Sequence, residues 1–417
     1  MKNSRRTFRV AALALALVVI ICAVGCGDNG TPIIITTAPA VTSATPPETT
    51  TQIAPPETTD APSETSVPGT TASDVTTEPG TSESETSAEP AVLYEDPLTG
   101  LRIVRDLSLV RPIALVYDNV SAAAPQSGIS RADILIECMV EGGISRLIAI
   151  TNDYGSGNEL GGLEVYGPIR STRHYIVSIS QIVDSLMVGA GYSDQGYGAI
   201  KNNNLHYINP VHQREASNNS FRDPARISSA GYEHSLMFTG KGIEKAAAML
   251  GYPVTVSSPV SFPFNFVAED RDVVLTGGAA YHTILKYSSY QEVQFIYSTA
   301  TGTYYRYQFG DKAHLDAENG EQLNFTNLFV LFAKQERIEG DTEGRLNVGV
   351  TGTGSGYYIS GGRYTPVTWS RESDTSPLVF TTSDGFPLTV NRGTTFISIV
   401  SDTLKDTSSI VLNYSLN

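Results

Sequence analysis

The chain has 417 residues, with 28 basic against 43 acidic side chains and a formal net charge of −15. That balance excludes a nucleic-acid binder, because a phosphate backbone calls for a basic face and none is visible. Three cysteines without a C-x-x-C pair give no zinc knuckle and no disulfide framework.

At the start, Lys2, Arg5, Arg6 and Arg9 precede an apolar run from Val10 to Val24, which ends in Ala23-Val24-Gly25-Cys26. The run is 15 residues long, shorter than the roughly 20 that a spanning helix needs. A basic start, a short apolar stretch and small residues before a cysteine are the pattern of a bacterial lipoprotein signal. Residues 1–26 are therefore expected to be that signal. Cys26 is the expected lipidation site and new N-terminus, carrying two or three acyl chains because one chain anchors a protein only marginally. Cys22 is the poorer rival, since the bulky, branched Ile21 precedes it. The expected location is extracytoplasmic, with the membrane engaged through the lipid on Cys26.

Residues 27–92 are rich in Thr, Ser, Pro, Ala and Glu and hold ten acidic residues and no Lys or Arg. So few large apolar side chains cannot offset the entropy lost on ordering, so the sequence predicts a disordered tether. As a flexible coil it would span about 45 Å, and as extended polyproline II about 200 Å. Without the four signal cations the chain carries 24 basic against 43 acidic residues, about −19, and the tether takes ten of those acids. The remainder stands near −9.

From residue 93 the composition is that of a folded protein, divided here into a mixed α and β domain over 93–260 and a β-rich domain over 261–417. Arg111–Tyr117, Asp133–Met139 and Leu147–Thr151 are β-branched apolar runs that read as buried strands. Ser171–Val183 shows apolar residues at helical spacing, Ser185–Val188 reads as a further strand, and Lys241–Leu250 as a helix stopped by Gly251 and Pro253. Beyond Pro263 the helical period is lost. Short strands are predicted at Tyr281–Tyr287, Glu292–Tyr297, Thr303–Phe309, Leu328–Lys334, Leu346–Thr351, Gly356–Ser360, Val367–Ser370, Leu378–Phe380 and Thr395–Val400, with a hairpin about Ser298–Gly302.

The common catalytic signatures are missing: no H-E-x-x-H, G-x-S-x-G, S-x-x-K or phosphate loop. Gly352–Gly356 lies among strands and reads as a hairpin or bulge. His206 and His212 are two loop imidazoles with no metal spacing, and no cofactor or metal is implied. Cys138, inside an apolar run, reads as a buried structural thiol. Polar residues are concentrated instead at Asp118-Asn119, Glu141–Arg146 and Gly167–Arg173. Arg170 and Arg173, three apart at the predicted start of a helix, would share one face and could hold a carboxylate or phosphate. The alternative is an internal ion network with Glu137, Glu141 or Asp118, and Arg146 beside Glu141 is open to the same two readings.

PLTGL at 97–101, RPIALVYDN at 111–119, PQSGIS at 125–130, ADILIE at 132–137, VEGGISR at 140–146 and GPIRSTR at 167–173 occur in that order. FRD at 221–223, GGR at 361–363, Trp369, DGFPL at 384–388 and GTTFISIV at 393–400 follow. These segments resemble the YerB-like bacterial lipoproteins, a family without an assigned biochemical role, over roughly residues 96–400. The resemblance implies an α+β fold, with an N-terminal mixed α/β three-layer sandwich domain followed by a β-rich C-terminal domain. Tyr232–Met237 departs from the family's Pro-His-Asn-Leu-Tyr run, so the resemblance brings no role for His234.

The expected function is a non-catalytic module that binds a cell-envelope component, peptidoglycan or peptidoglycan-synthesis proteins, through Asp118, Asn119, Glu141, Arg146, Arg170 and Arg173. The alternative is a cell-wall hydrolase using Glu141 or Asp118 as its acid or base. A solute receptor is a third class, weakened by the lack of two similar lobes.

Overall fold

The computed structural model describes residues 92–261, 263–405 and 410–412. The signal, Cys26 and the tether up to residue 91 lie outside them. The described residues belong to one compact unit.

The Arg111–Tyr117 run forms β1 (Ile113–Asn119), which extends through the polar pair Asp118-Asn119. β2 (Ile134–Met139) and β3 (Ser145–Thr151) follow, joined by a turn in which Gly142 and Gly143 take φ of +76° and +74°. Side chains avoid that region, so the two glycines let the chain reverse while Glu141 stays at the head of the turn. Ser171–Val183 is not one helix. α1 covers only His174–Ser180 and a 3₁₀ turn continues to Val183. β4 (Leu186–Val188) leads to α2 (Asp194–Asn202), which sequence periodicity did not reveal. Ser193 caps it by accepting from the Gly196 N–H at 3.1 Å. Next come β5 (Tyr207–Ile208) and α3 (Gly240–Leu250), the latter capped by Thr239 and ended by left-handed Gly251.

In the C-terminal segment β6 (His282–Lys286), β7 (Glu292–Ser298) and β8 (Thr303–Gln308) make an antiparallel meander with the predicted hairpin between the last two. β9 (Asn327–Ala333), β10 (Gly352–Ser360), β11 (Arg363–Arg371), β12 (Val379–Thr382) and β13 (Thr395–Ser401) complete the main elements. The glycine run at 352–356 is strand, not loop. A Cβ on Gly354 would lie 2.5 Å from the Trp369 indole, so glycine lets that ring lie across β10.

The boundary expected near residue 260 does not separate two sheets. One ten-stranded sheet runs β12-β11-β10-β9-β13-β2-β3-β1-β4-β5. The join is β13 lying parallel to β2, Ile397 opposite Ile136, so the last strand of the C-terminal segment completes the N-terminal sheet. Strand alternation then sorts side chains onto two buried faces. Ala114, Val116, Ile136, Cys138 and Ile148 pack under α1 with Phe329 and Trp369. Leu115, Tyr117, Leu135, Leu147 and Ala149 pack under α3, in one cluster with Phe295 and Tyr304 of the meander. The result is an α+β fold of layers about one sheet, β-rich in its C-terminal part. Cys138 is fully buried, and burial pushes its thiol far above the usual range.

Candidate functional site

The same alternation divides the polar end of β1. Asp118 follows Val116 onto the α1 face, while Asn119 follows Tyr117 onto the opposite one. Antiparallel register places Arg146 opposite Asp118 and Ser145 opposite Asn119. Two polar clusters are thus built from neighbouring residues, back to back through the sheet.

On the α1 face Asp118 is fully buried. Its Oδ1 lies 3.1 Å from Arg146 Nη1, and its Oδ2 lies 3.2 Å from Arg170 Nε and 2.6 Å from His234 Nδ1. His234 Nε2 in turn lies 3.2 Å from the exposed Glu233 carboxylate. A few residues on, Arg173 grips Glu141 with both arms of its guanidinium, Nε to Oε2 at 3.0 Å and Nη2 to Oε1, while Nη1 donates to Ser171 Oγ and to the Thr172 carbonyl. Burial works to raise the Glu141 carboxyl, but the Arg173 hydrogen bonds and charge outweigh it and hold it below the usual range. Burial lowers Arg146, and the nearby Arg170 and Arg173 charges lower it further against the pull of Asp118.

The arginines are not arranged as their spacing predicts. α1 begins at His174, Arg173 sits before it with extended φ of −127°, and Arg170 lies in a strand-like segment. Its N–H donates to the Val116 carbonyl and its carbonyl accepts from the Ala190 N–H, both at 2.8 Å. Backbone pairing with β1 and with the loop after β4 wins over helix extension here, so no helix terminus holds the two guanidiniums. The ion network foreseen as the alternative is present for Asp118 and Glu141; Glu137 is not part of it. Three guanidiniums nevertheless face two carboxylates; the buried Arg146 Nε has no hydrogen-bond partner, while Arg170 Nε meets Asp118 as an ion pair without hydrogen-bond geometry. Arg170 remains 29% exposed, and Glu141 24%.

On the other face Glu137 is sealed. Its Oε1 accepts from Ser145 Oγ at 2.6 Å, Gln291 Nε2 at 2.9 Å and Asn119 Nδ2 at 3.0 Å, and its Oε2 pairs with Arg306 Nη2 at 2.7 Å. Arg306 also meets His314 Nδ1, so the proton of a neutral ring sits on Nε2 and is donated to Gln126 Oε1 at 2.8 Å. Gln126 Nε2 donates to the Asp118 carbonyl at 2.8 Å, linking the two faces. Burial, then the Arg306 charge, push His314 well below its ordinary value. His206 and His212 lie apart in separate contacts, His206 on Arg111 Nη1 and His212 stacked on Tyr192.

Five of the six expected site residues, Asp118, Glu141, Arg146, Arg170 and Arg173, line up along the α1 face; Asn119 does not join them. Sequence reasoning left His234 and Gln126, the latter inside PQSGIS, without a role and passed over Arg306 and His314. The contacts that give them one span 116 to 188 residues, so no local pattern could have signalled them.

The fold and the site together define a class: an α+β protein whose two sequence segments share one sheet, with an arginine–carboxylate cleft at its polar end. Two family models match, the N-terminal domain of a protein of unknown function (DUF3048) over residues 98–253 and the C-terminal domain of the same family over 283–397. The chain belongs to this YerB-like family. It is 28% identical over 311 residues to "Putative lipoprotein YerB" of Bacillus subtilis (strain 168), covering 73% of this chain and 86% of that one. The crystal structure of YerB from Bacillus subtilis superposes with a TM-score of 0.64 at 25% identity, over 77% of this chain and 100% of that chain.

Proposed function

We propose that the protein is a lipoprotein, acylated at Cys26 and held outside the cytoplasmic membrane on the tether of residues 27–92. In this reading the cleft of Asp118, Arg146, Arg170, Arg173 and Glu141 binds an anionic component of the cell envelope, peptidoglycan or a protein of its synthesis, without catalysis. The observation that carries it is the surplus of guanidinium over carboxylate in a partly open cluster, with the Nε donor of Arg146 left without an acceptor. Guanidinium forks favour carboxylate and phosphate, and a buried donor without an acceptor gains most from a ligand that supplies one. Asn119 contributes from behind, through Gln126 and Glu137.

The two carboxylates a hydrolase would use are both committed. Asp118 is closed to solvent and out of a substrate's reach, and Glu141 is held ionised by Arg173, which disfavours it as a proton donor.

Co-sedimentation of the full chain with purified sacculi, with muropeptide release assayed in the same tube, tests the reading. Binding without release is expected, and Arg170→Gln should weaken binding about tenfold while leaving the fold intact. Release that depends on Glu141 or Asp118 would overturn it. For the anchor, Cys26→Ser should abolish fatty-acid labelling and move the protein to the soluble fraction; unchanged labelling would point to Cys22.

A further inference from the structure

The arginine cleft does not end at Arg173. The Thr172 N–H donates to the Gly191 carbonyl at 3.1 Å and the Ser193 N–H to the Thr172 carbonyl at 3.3 Å, so the arginine segment runs directly against the loop that presents Tyr192. This loop follows β4, and Asn209 follows β5. Both lie beyond the carboxyl ends of strands parallel to β1, which ends in Asp118-Asn119. The crevice outside the carboxyl ends of parallel strands is where open α/β sheets take their ligands.

Here the crevice holds a ladder of rings. Tyr192 stacks on Tyr197 of α2 with centroids 5.0 Å apart and on His212 at 4.7 Å, at interplanar angles of 30° and 18°. The outer two rings, Tyr197 and His212, are exposed. They border a cleft of about 310 Å³ that is also lined by Lys201, Asn204, Asn209 and Gln213. Two of the amides at this cleft, Gln213 and Asn209, are not equivalent. Gln213 is committed at both atoms, accepting from the Asn209 N–H and donating to the Tyr207 carbonyl, each at 2.8 Å. Asn209 Oδ1 accepts from the Gly191 N–H at 2.9 Å and the Val211 N–H at 3.1 Å, while its buried Nδ2 has no acceptor.

We propose that this cleft is a saccharide subsite, continuous with the arginine cleft and taking the sugar rings of the glycan whose anionic groups the arginines meet. It rests on the binding function proposed above and adds the substrate class. Flat, exposed rings offer a face for the C–H side of a pyranose, and amide and ammonium groups at the rim offer donors to hydroxyl and acetamido oxygens. An aromatic body beside a polar tip is the general composition of small-ligand sites. The Asn209 amide supplies a donor that no protein atom uses.

Titration of the full chain in detergent with a neutral N-acetylglucosamine tetramer isolates the subsite, because this probe carries no anionic group to form an ion pair with the arginines. Saturable binding is expected. Tyr197→Ala and His212→Ala should each weaken it about tenfold. Tyr197→Phe and Arg170→Gln should leave it unchanged, and thermal midpoints should hold in the three ring variants because Tyr197 and His212 are exposed. Absence of saturable binding by the full chain, or binding indifferent to both ring removals, would overturn the subsite. If anionic muropeptides still bind through Arg170 in that case, the arginine cleft stands and only the saccharide assignment falls. If the tetramer binds through the rings while Arg170→Gln leaves muropeptide binding unaltered, the subsite stands and the arginine reading falls.

Discussion

Asp118 and Asn119 are neighbours in the chain, yet they belong to two different kinds of polar cluster. On Asn119's face of the sheet, Glu137 accepts from four side chains and Arg306 is completely enclosed, so one carboxylate meets one guanidinium away from water, with only Arg306 Nε left without a partner. On Asp118's face the same arginine–carboxylate chemistry is unbalanced in charge and partly open, with three guanidiniums to two carboxylates and Arg170 and Glu141 both reaching solvent. The enclosed pair ties a carboxylate of the N-terminal segment to a guanidinium of the C-terminal one, whereas the open cluster leaves positive charge within reach of solvent.

The comparison breaks most visibly at Arg306. Arg306→Met should strand the Glu137 carboxylate without its counter-charge and cost about 3 to 5 kcal/mol, read from chemical denaturation. A loss below about 1 kcal/mol would mean that Glu137 is not the sealed ion proposed for this face. Arg173→Gln removes the partner of a carboxylate that still touches solvent, so the expected cost is smaller, about 1 to 3 kcal/mol. Glu141→Gln in the same chain should recover part of it, and a double-mutant cycle without coupling would show that the two residues act independently. Because the folded Glu141 titrates below its ordinary value, this contribution is present above the unfolded carboxyl's range and lost as pH falls through the folded one.

The gentlest probe is pH at His314. Its folded form resists protonation while the unfolded side chain takes a proton near the ordinary histidine value of 6.5. Stability from this residue is therefore present above that value and declines as pH falls below it, by at most one proton, or about 1.4 kcal/mol per pH unit. His314→Gln should flatten the stability profile between pH 6.5 and 5, relative to wild type. Parallel profiles for the two proteins would place a proton on the folded ring and contradict the Arg306 contact.

Much of this was legible locally. The strands at 113–119, 134–139, 145–151, 327–333 and 395–401 and the helix at 240–250 announce themselves through apolar period, caps and glycine stops, because those depend on residues within a turn or a pleat of one another. The order of motifs from PLTGL to GTTFISIV likewise sufficed for the family. The short α1, the unseen α2 and the extended Arg170 were not legible, since backbone bonds to β1 and to the loop after β4 override their local preference. Periodicity states which face of a strand is apolar, but not which strand lies beside it. That β13 pairs with β2, that Asp118 meets Arg170 and His234, and that Glu137 meets Arg306 were decided only by tertiary packing, where distant segments compete for the same neighbours.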